Sequence, residues 1–154
     1  NWNTSSVRNM SYMFHATGHN ATTWSIGDLS NWNTTNVVDM SEMFSFAGYS
    51  ITTWVIGDLS GWNTSQVTDM SEMFNNAGRN ATAFNLNLSG WNTSQVASMR
   101  SMFYLAGYNA TTFSITIPQT NGNGINNDTT HMYGSTSSTY ADPPSSRTFT
   151  LATS

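Results

Sequence analysis

Cysteine and lysine are both missing from this 154-residue chain, and ionisable Asp, Glu, Lys and Arg together make up only 8% of it. Without cysteine there is no disulfide, no thiolate nucleophile and no Cys-based zinc site, and either redox compartment remains compatible. Without lysine there is no amine for a Lys–Asn isopeptide crosslink. The cations are Arg8, Arg79, Arg100 and Arg147, no two of them neighbours. Nucleic acid is therefore not an expected partner, because phosphate binding needs clustered Lys and Arg that release counterions. Average globular chains carry roughly 25% charged residues, so solubility here must rest on Asn, Ser, Thr and Gly, an extracellular kind of surface. No apolar run is long enough to span a bilayer. The chain opens inside a repeat with no charged-then-apolar leader, and so is expected to be a fragment of a longer secreted or anchored protein.

What the chain has instead is self-similarity. Asn1-Trp2-Asn3-Thr4 leads to Met10 and Met13-Phe14; Asn31-Trp32-Asn33-Thr34 leads to Met40 and Met43-Phe44. Gly61-Trp62-Asn63-Thr64 leads to Met70 and Met73-Phe74, and Gly90-Trp91-Asn92-Thr93 to Met99 and Met102-Phe103. The tryptophans step by about thirty residues, a period at which repeats stack because no single unit buries its own apolar face. Units of about 1–30, 31–60, 61–89 and 90–117 follow, with 118–154 as a C-terminal cap and linker.

Within a unit the apolar period changes. Val37, Met40, Met43, Phe44 and Ala47 recur at helical spacing, which predicts a short helix with Thr34 or Thr35 as N-cap. Gly48 and its counterparts Gly18, Gly78 and Gly107 would be its left-handed C-caps. After the glycine, Thr53-Trp54-Val55-Ile56 is rich in β-formers, with Trp54 and Ile56 alternating inward. Trp24 and Ile26, Phe84 and Leu86, and Phe113 and Ile115 repeat the pattern. Methionine at the helical positions reads as core filler rather than as metal ligand.

The string from Trp62 through Asn63-Thr64-Ser65-Gln66-Val67 to Met70-Ser71-Glu72-Met73-Phe74 resembles the signature of BspA-like leucine-rich-repeat proteins, a family of bacterial surface proteins also found in some parasitic protists. The resemblance covers residues 1 to about 117. The expected fold class is α/β: a leucine-rich-repeat-like solenoid with a short parallel strand plus a short helix per repeat, four repeats and a C-terminal cap. The resemblance further implies cell-surface exposure, host or matrix attachment, and a structural role for the column Asn3, Asn33, Asn63 and Asn92, whose buried amides would satisfy the turn backbone.

The search for chemistry finds little. His15 and His19 lie four apart but lack a third ligand, and His131 stands alone. Asp39 with Asp69, and Glu42 with Glu72, occupy equivalent positions one unit apart. Stacking would make them weak candidates for Ca²⁺, which takes hard oxygen ligands; no other cofactor is expected. The column His19, Tyr49, Arg79 and Tyr108, just past the glycine, changes residue type inside an otherwise strict repeat. So does its neighbour His15, Ser45, Asn75 and Tyr104. Tyr and Arg are favoured interface anchors, so His19, Tyr49, Arg79, Tyr108 and Tyr104 are the ligand-binding candidates, against the plainer reading of loop tolerance. Threonine columns around Thr22, Thr52 and Thr111 suggest a flat array suited to ice or carbohydrate, broken by Ala83.

No nucleophile–base pair, phosphate loop or converging carboxylates occur, so catalysis is not expected. The leading expectation is a non-catalytic, extracellular binding or adhesion segment, an adhesin recognising a host or matrix protein or a surface glycan through the exposed repeat face. The alternative is a structural spacer or filament subunit that associates end to end.

Overall fold

The computed structural model describes residues 2–118 and the strand 148–152. The repeats lie one on another about a common core, and the backbone shows why. Met10, Tyr12, Phe14 and Ala16 donate their N–H groups to the carbonyls of Asp39, Ser41, Met43 and Ser45 in the next unit, at 2.9, 3.1, 2.9 and 2.8 Å. The same rows join Met40 to Asp69 and Met70 to Ser98. Parallel bridges Asn9–Asp39, Asp39–Asp69 and Asp69–Ser98 mark the register.

This pattern overturns the expected α/β leucine-rich-repeat-like solenoid. The described residues contain no helix, and each segment read as one is a ribbon of overlapping β-turns. In unit one, Met13 donates to Met10 O, His15 to Tyr12 O, Thr17 to Phe14 O and His19 to Ala16 O, at 3.0–3.3 Å. Alternate N–H groups thus close local turns while the others cross to the next unit. A helix needs every N–H for its own carbonyl four residues back, so a segment that spends half its donors between units cannot be helical. The turn geometry also demands left-handed backbone: Tyr12, Ala16, Glu42, Phe46, Glu72, Asn76, Ser101 and Leu105 all have φ of 53–58°. In the turns 10–13 and 14–17 these are the third residues, where a type II turn requires positive φ.

The capping assignments fall with the helix. Thr34 is buried, and its Oγ1 donates to Asn63 O at 3.0 Å, while Asn33 N–H donates to Thr4 Oγ1 at 2.9 Å. Threonine therefore clips units together rather than capping one. The asparagine column is exposed, not buried: Asn3, Asn33, Asn63 and Asn92 each accept the N–H two residues on, at 3.0–3.1 Å, forming surface Asx-turns. Gly18 and Gly107 are left-handed but end no helix. A Cβ at Gly107 would lie 2.4 Å from Phe84 Cβ, and one at Gly18 2.1 Å from Trp24 Cδ1.

Strands form after the glycine, and among the described residues there are fewer than one per repeat unit. β1 (Ala83–Asn87), β2 (Thr112–Pro118) and β3 (Thr148–Ala152) make one parallel sheet in that order. Phe84 pairs with Phe113 and Leu86 with Ile115, so the inward alternation read from sequence is preserved. The equivalent segments of units one and two carry Gly27 and Gly57 at φ 77° and 82°, the extra residue that β1 and β2 lack. Left-handed glycine interrupts the extended run there. Apart from β3, the expected cap at 118–154 lies outside the described residues, as do His131 and Arg147.

Aromatic stacks run through the core, one of them reaching the surface at its unit-one end, Trp2. Phe14, Phe44, Phe74 and Phe103 stack at 5.2–5.6 Å between centroids, Trp2, Trp32, Trp62 and Trp91 at 5.8–6.3 Å, and Trp24, Trp54, Phe84 and Phe113 at 5.1–5.7 Å. Trp62 Nε1 donates to Leu29 O at 2.9 Å and Trp91 Nε1 to Leu59 O at 2.8 Å, so these two buried indoles reach back to the closing residues of units one and two.

Candidate recognition site

The last turn of the ribbon is closed on the left-handed glycine, as by Ala21 N–H to Gly18 O at 3.1 Å, and at the residue after that glycine the varying column becomes a physical stack. Backbone bonds hold its register: Ser50 N–H to His19 O at 3.2 Å, Asn80 N–H to Tyr49 O at 3.2 Å and Asn109 N–H to Arg79 O at 2.9 Å. With the backbones so placed, the His19 imidazole stacks on Tyr49 at 4.6 Å and 20°. Arg79 Cζ lies 5.5 Å from the Tyr49 ring centroid and 4.9 Å from that of Tyr108, within cation–π range of both. The guanidinium is thus held between two tyrosines, and its Nη1 donates to Asn76 Oδ1 at 2.8 Å. His19, Tyr49 and Arg79 are half-buried; Tyr108 is 44% exposed.

Four of the five sequence candidates are brought together in this way. Tyr104 is half-buried in the adjacent column, beyond buried Ser45 and Asn75, and belongs to that column rather than to the stack. Sequence reasoning missed two contributors. Phe46 lies 6.0 Å from each of the His15, His19 and Tyr49 rings, and Tyr12 lies 5.5 Å from His15. The signal was present: positions 12, 42, 72 and 101 read Tyr, Glu, Glu, Ser, and positions 16, 46, 76 and 105 read Ala, Phe, Asn, Leu. These two columns vary as freely as the chosen one, and they are the columns whose backbone is left-handed.

The carboxylates are spent on the fold. Asp39 Oδ1 accepts Ser41 N–H at 2.9 Å and Asp69 Oδ1 accepts Ser71 N–H at 2.8 Å. Glu42 accepts the Tyr12 hydroxyl and lies 3.5 Å from His15 Nδ1; Glu72 pairs with Arg100 at 2.9 Å and accepts Asn75 Nδ2 at 3.0 Å. The Glu42 bond and charge raise the Tyr12 phenol above its usual value. Asp28 and Asp58 are held below the usual carboxylate range by the Ser30 and Ser60 N–H groups, each at 2.9 Å. Among the described residues no three of His, Asp and Glu are placed to hold a metal ion, and no helix is long and apolar enough to cross a membrane. The arrangement can stack, donate hydrogen bonds and present one fixed cation.

The family described as "Mycoplasma protein of unknown function, DUF285" matches residues 1–55 and 18–144. No curated protein and no solved structure matches the chain. The family description establishes neither an adhesin nor a leucine-rich repeat, and the absence of helices among the described residues overturns the expected leucine-rich-repeat solenoid.

Proposed function

The chain belongs to the DUF285 family of Mycoplasma proteins of unknown function, and from that premise we propose that it is a non-catalytic recognition segment of an extracellular, cell-surface protein. It binds a host or matrix protein or a surface glycan through the face of the turn ribbon. The observation that carries this reading is the His19–Tyr49–Arg79–Tyr108 stack. The repeat is strict where it builds the core and variable where it builds this column, and variation there yields a continuous aromatic and cationic strip rather than unrelated loop tips. Tyr and Arg in such a setting are the residues that anchor interfaces.

The test is binding of the purified chain to an array of matrix proteins and glycans, beside a Tyr49/Arg79/Tyr108→Ala variant checked for unchanged folding by circular dichroism. Saturable binding that weakens at least about tenfold in the variant is expected, about 1.4 kcal/mol or more. Equal binding by the two proteins would move the site elsewhere. Silence from both would favour the alternative of a structural spacer or a subunit that associates end to end.

A further inference from the structure

Arg79 differs from Arg100 in a way that bears on the ligand. Arg100 is paired with Glu72, whereas Arg79 has no carboxylate within 4 Å among the described residues. Its charge faces two tyrosine rings and a neutral amide. The two rings fix the guanidinium plane, and Asn76 takes one of its five N–H donors, leaving a pre-set fork of the kind that binds a carboxylate through two parallel bonds. The ordering cost of the long side chain is met before any ligand arrives.

The neighbouring column decides what surrounds that carboxylate. Asn20, Ser50, Asn80 and Asn109 are all exposed, and Asn109 Nδ2 donates to Asn80 Oδ1 at 2.7 Å. Two positions further on, the Thr82 and Thr111 hydroxyls bond the carbonyls of Thr52 and Thr82. The fork is therefore bordered by neutral amides and hydroxyls that both donate and accept, with no second cation beside it in either column. That suits a group with one acid among several hydroxyls. Of the exposed large apolar side chains, Trp2, Val38 and Val55 stand in other columns, and Tyr108, the one in this column, offers beside the fork a ring face on which a pyranose can stack.

Resting on the reading of this column as a recognition surface, we propose that its ligand is a glycan containing uronic acid, with the carboxylate docked on Arg79 between Tyr49 and Tyr108.

The experiment is a calorimetric titration of the whole chain with tetragalacturonic acid, its tetramethyl ester and tetraglutamate, repeated with Arg79→Gln and Arg79→Lys. The acid is expected to bind. Esterification and Arg79→Gln should each weaken binding at least about tenfold, and Arg79→Lys several-fold, because an ammonium keeps the charge but loses the fork. The esterified probe needs no variant, so a folding defect cannot mimic the result. Absence of acid binding, equal binding of the ester, or indifference to Arg79→Gln overturns the proposal. Tetraglutamate binding as well as the uronate overturns the glycan class in favour of an acidic peptide. An array ligand lost in the triple alanine variant but not displaced by tetragalacturonate would leave the recognition reading standing and remove this one.

Discussion

Trp54 and Trp62 are both buried, yet their indole nitrogens face different situations. Trp62 Nε1 bonds Leu29 O, at the end of unit one, whereas Trp54 Nε1 has no hydrogen-bond partner among the described residues. Phenylalanine already occupies the Trp54 column in units three and four, as Phe84 and Phe113. Both Trp→Phe changes lose ring volume, but only Trp62→Phe also removes a buried hydrogen bond, leaving Leu29 O with the Trp32 N–H as its remaining donor at 3.1 Å. Trp62→Phe should therefore cost about 0.5–1.5 kcal/mol more than Trp54→Phe, measured by urea unfolding of both variants. Tyr12 supplies a second test at this scale. Its phenol, raised by bonding to Glu42 and by the Glu42 charge, should titrate by ultraviolet absorbance above the ordinary value of about 10 and fall back toward it in Glu42→Gln. Because its folded value is the higher one, this bond contributes stability below the unfolded value and loses it as pH rises through the folded one.

At the scale of the element, the turn ribbon separates what was legible in sequence from what was not. The repeat length, the inward alternation at Phe84 and Leu86, and the column of His19, Tyr49, Arg79 and Tyr108 could all be read, because they depend only on aligning one unit with the next. The helix could not be rejected by the same means. Met40, Met43, Phe44 and Ala47 are all buried at a spacing that a helix and a ribbon of overlapping turns have in common. The difference lies in where the alternate N–H groups go, which side-chain periodicity does not encode. Nor does sequence announce positive φ at Glu42, Phe46 or Leu105, since such residues seldom adopt it; Tyr12 and Phe46 do not read as part of the aromatic face for that reason, although Glu42 and Glu72 of the first column stand out as carboxylates. One substitution tells the two elements apart by sign. Ala16 is exposed and has φ 54°. Ala16→Gly should leave stability unchanged or raise it by up to about 1 kcal/mol, as left-handed strain is relieved against the greater freedom of the unfolded chain. In a helix the same change would lower stability by about 1 kcal/mol. Thermal melting of the variant reads the sign directly.

Across the whole molecule, stability comes from ladders that run through every unit, and side chains replace charge in holding the turns. Asn87 makes the same Asx-turn to Ser89, at 3.2 Å, that Asp28 and Asp58 make to Ser30 and Ser60. Asp28 and Asp58 titrate below the usual carboxylate range, so their contribution is present above the unfolded value and lost as pH falls through the folded one. Asp28→Asn with Asp58→Asn should therefore fold as before while flattening the acid limb of the stability–pH curve, followed by denaturant midpoints from neutral pH downward. The same ladders align the His19–Tyr49–Arg79–Tyr108 stack, so the proposed recognition face depends on contributions from all four units.

A double-mutant cycle on binding tests that dependence most directly. Using whichever array ligand the chain retains, affinity would be measured for the wild type, Tyr49→Ala, Tyr108→Ala and the pair. If the two rings act by clamping Arg79, the first substitution removes most of the advantage and the second adds much less than it does alone. Additive losses, or none, would contradict a shared site built on the clamped guanidinium.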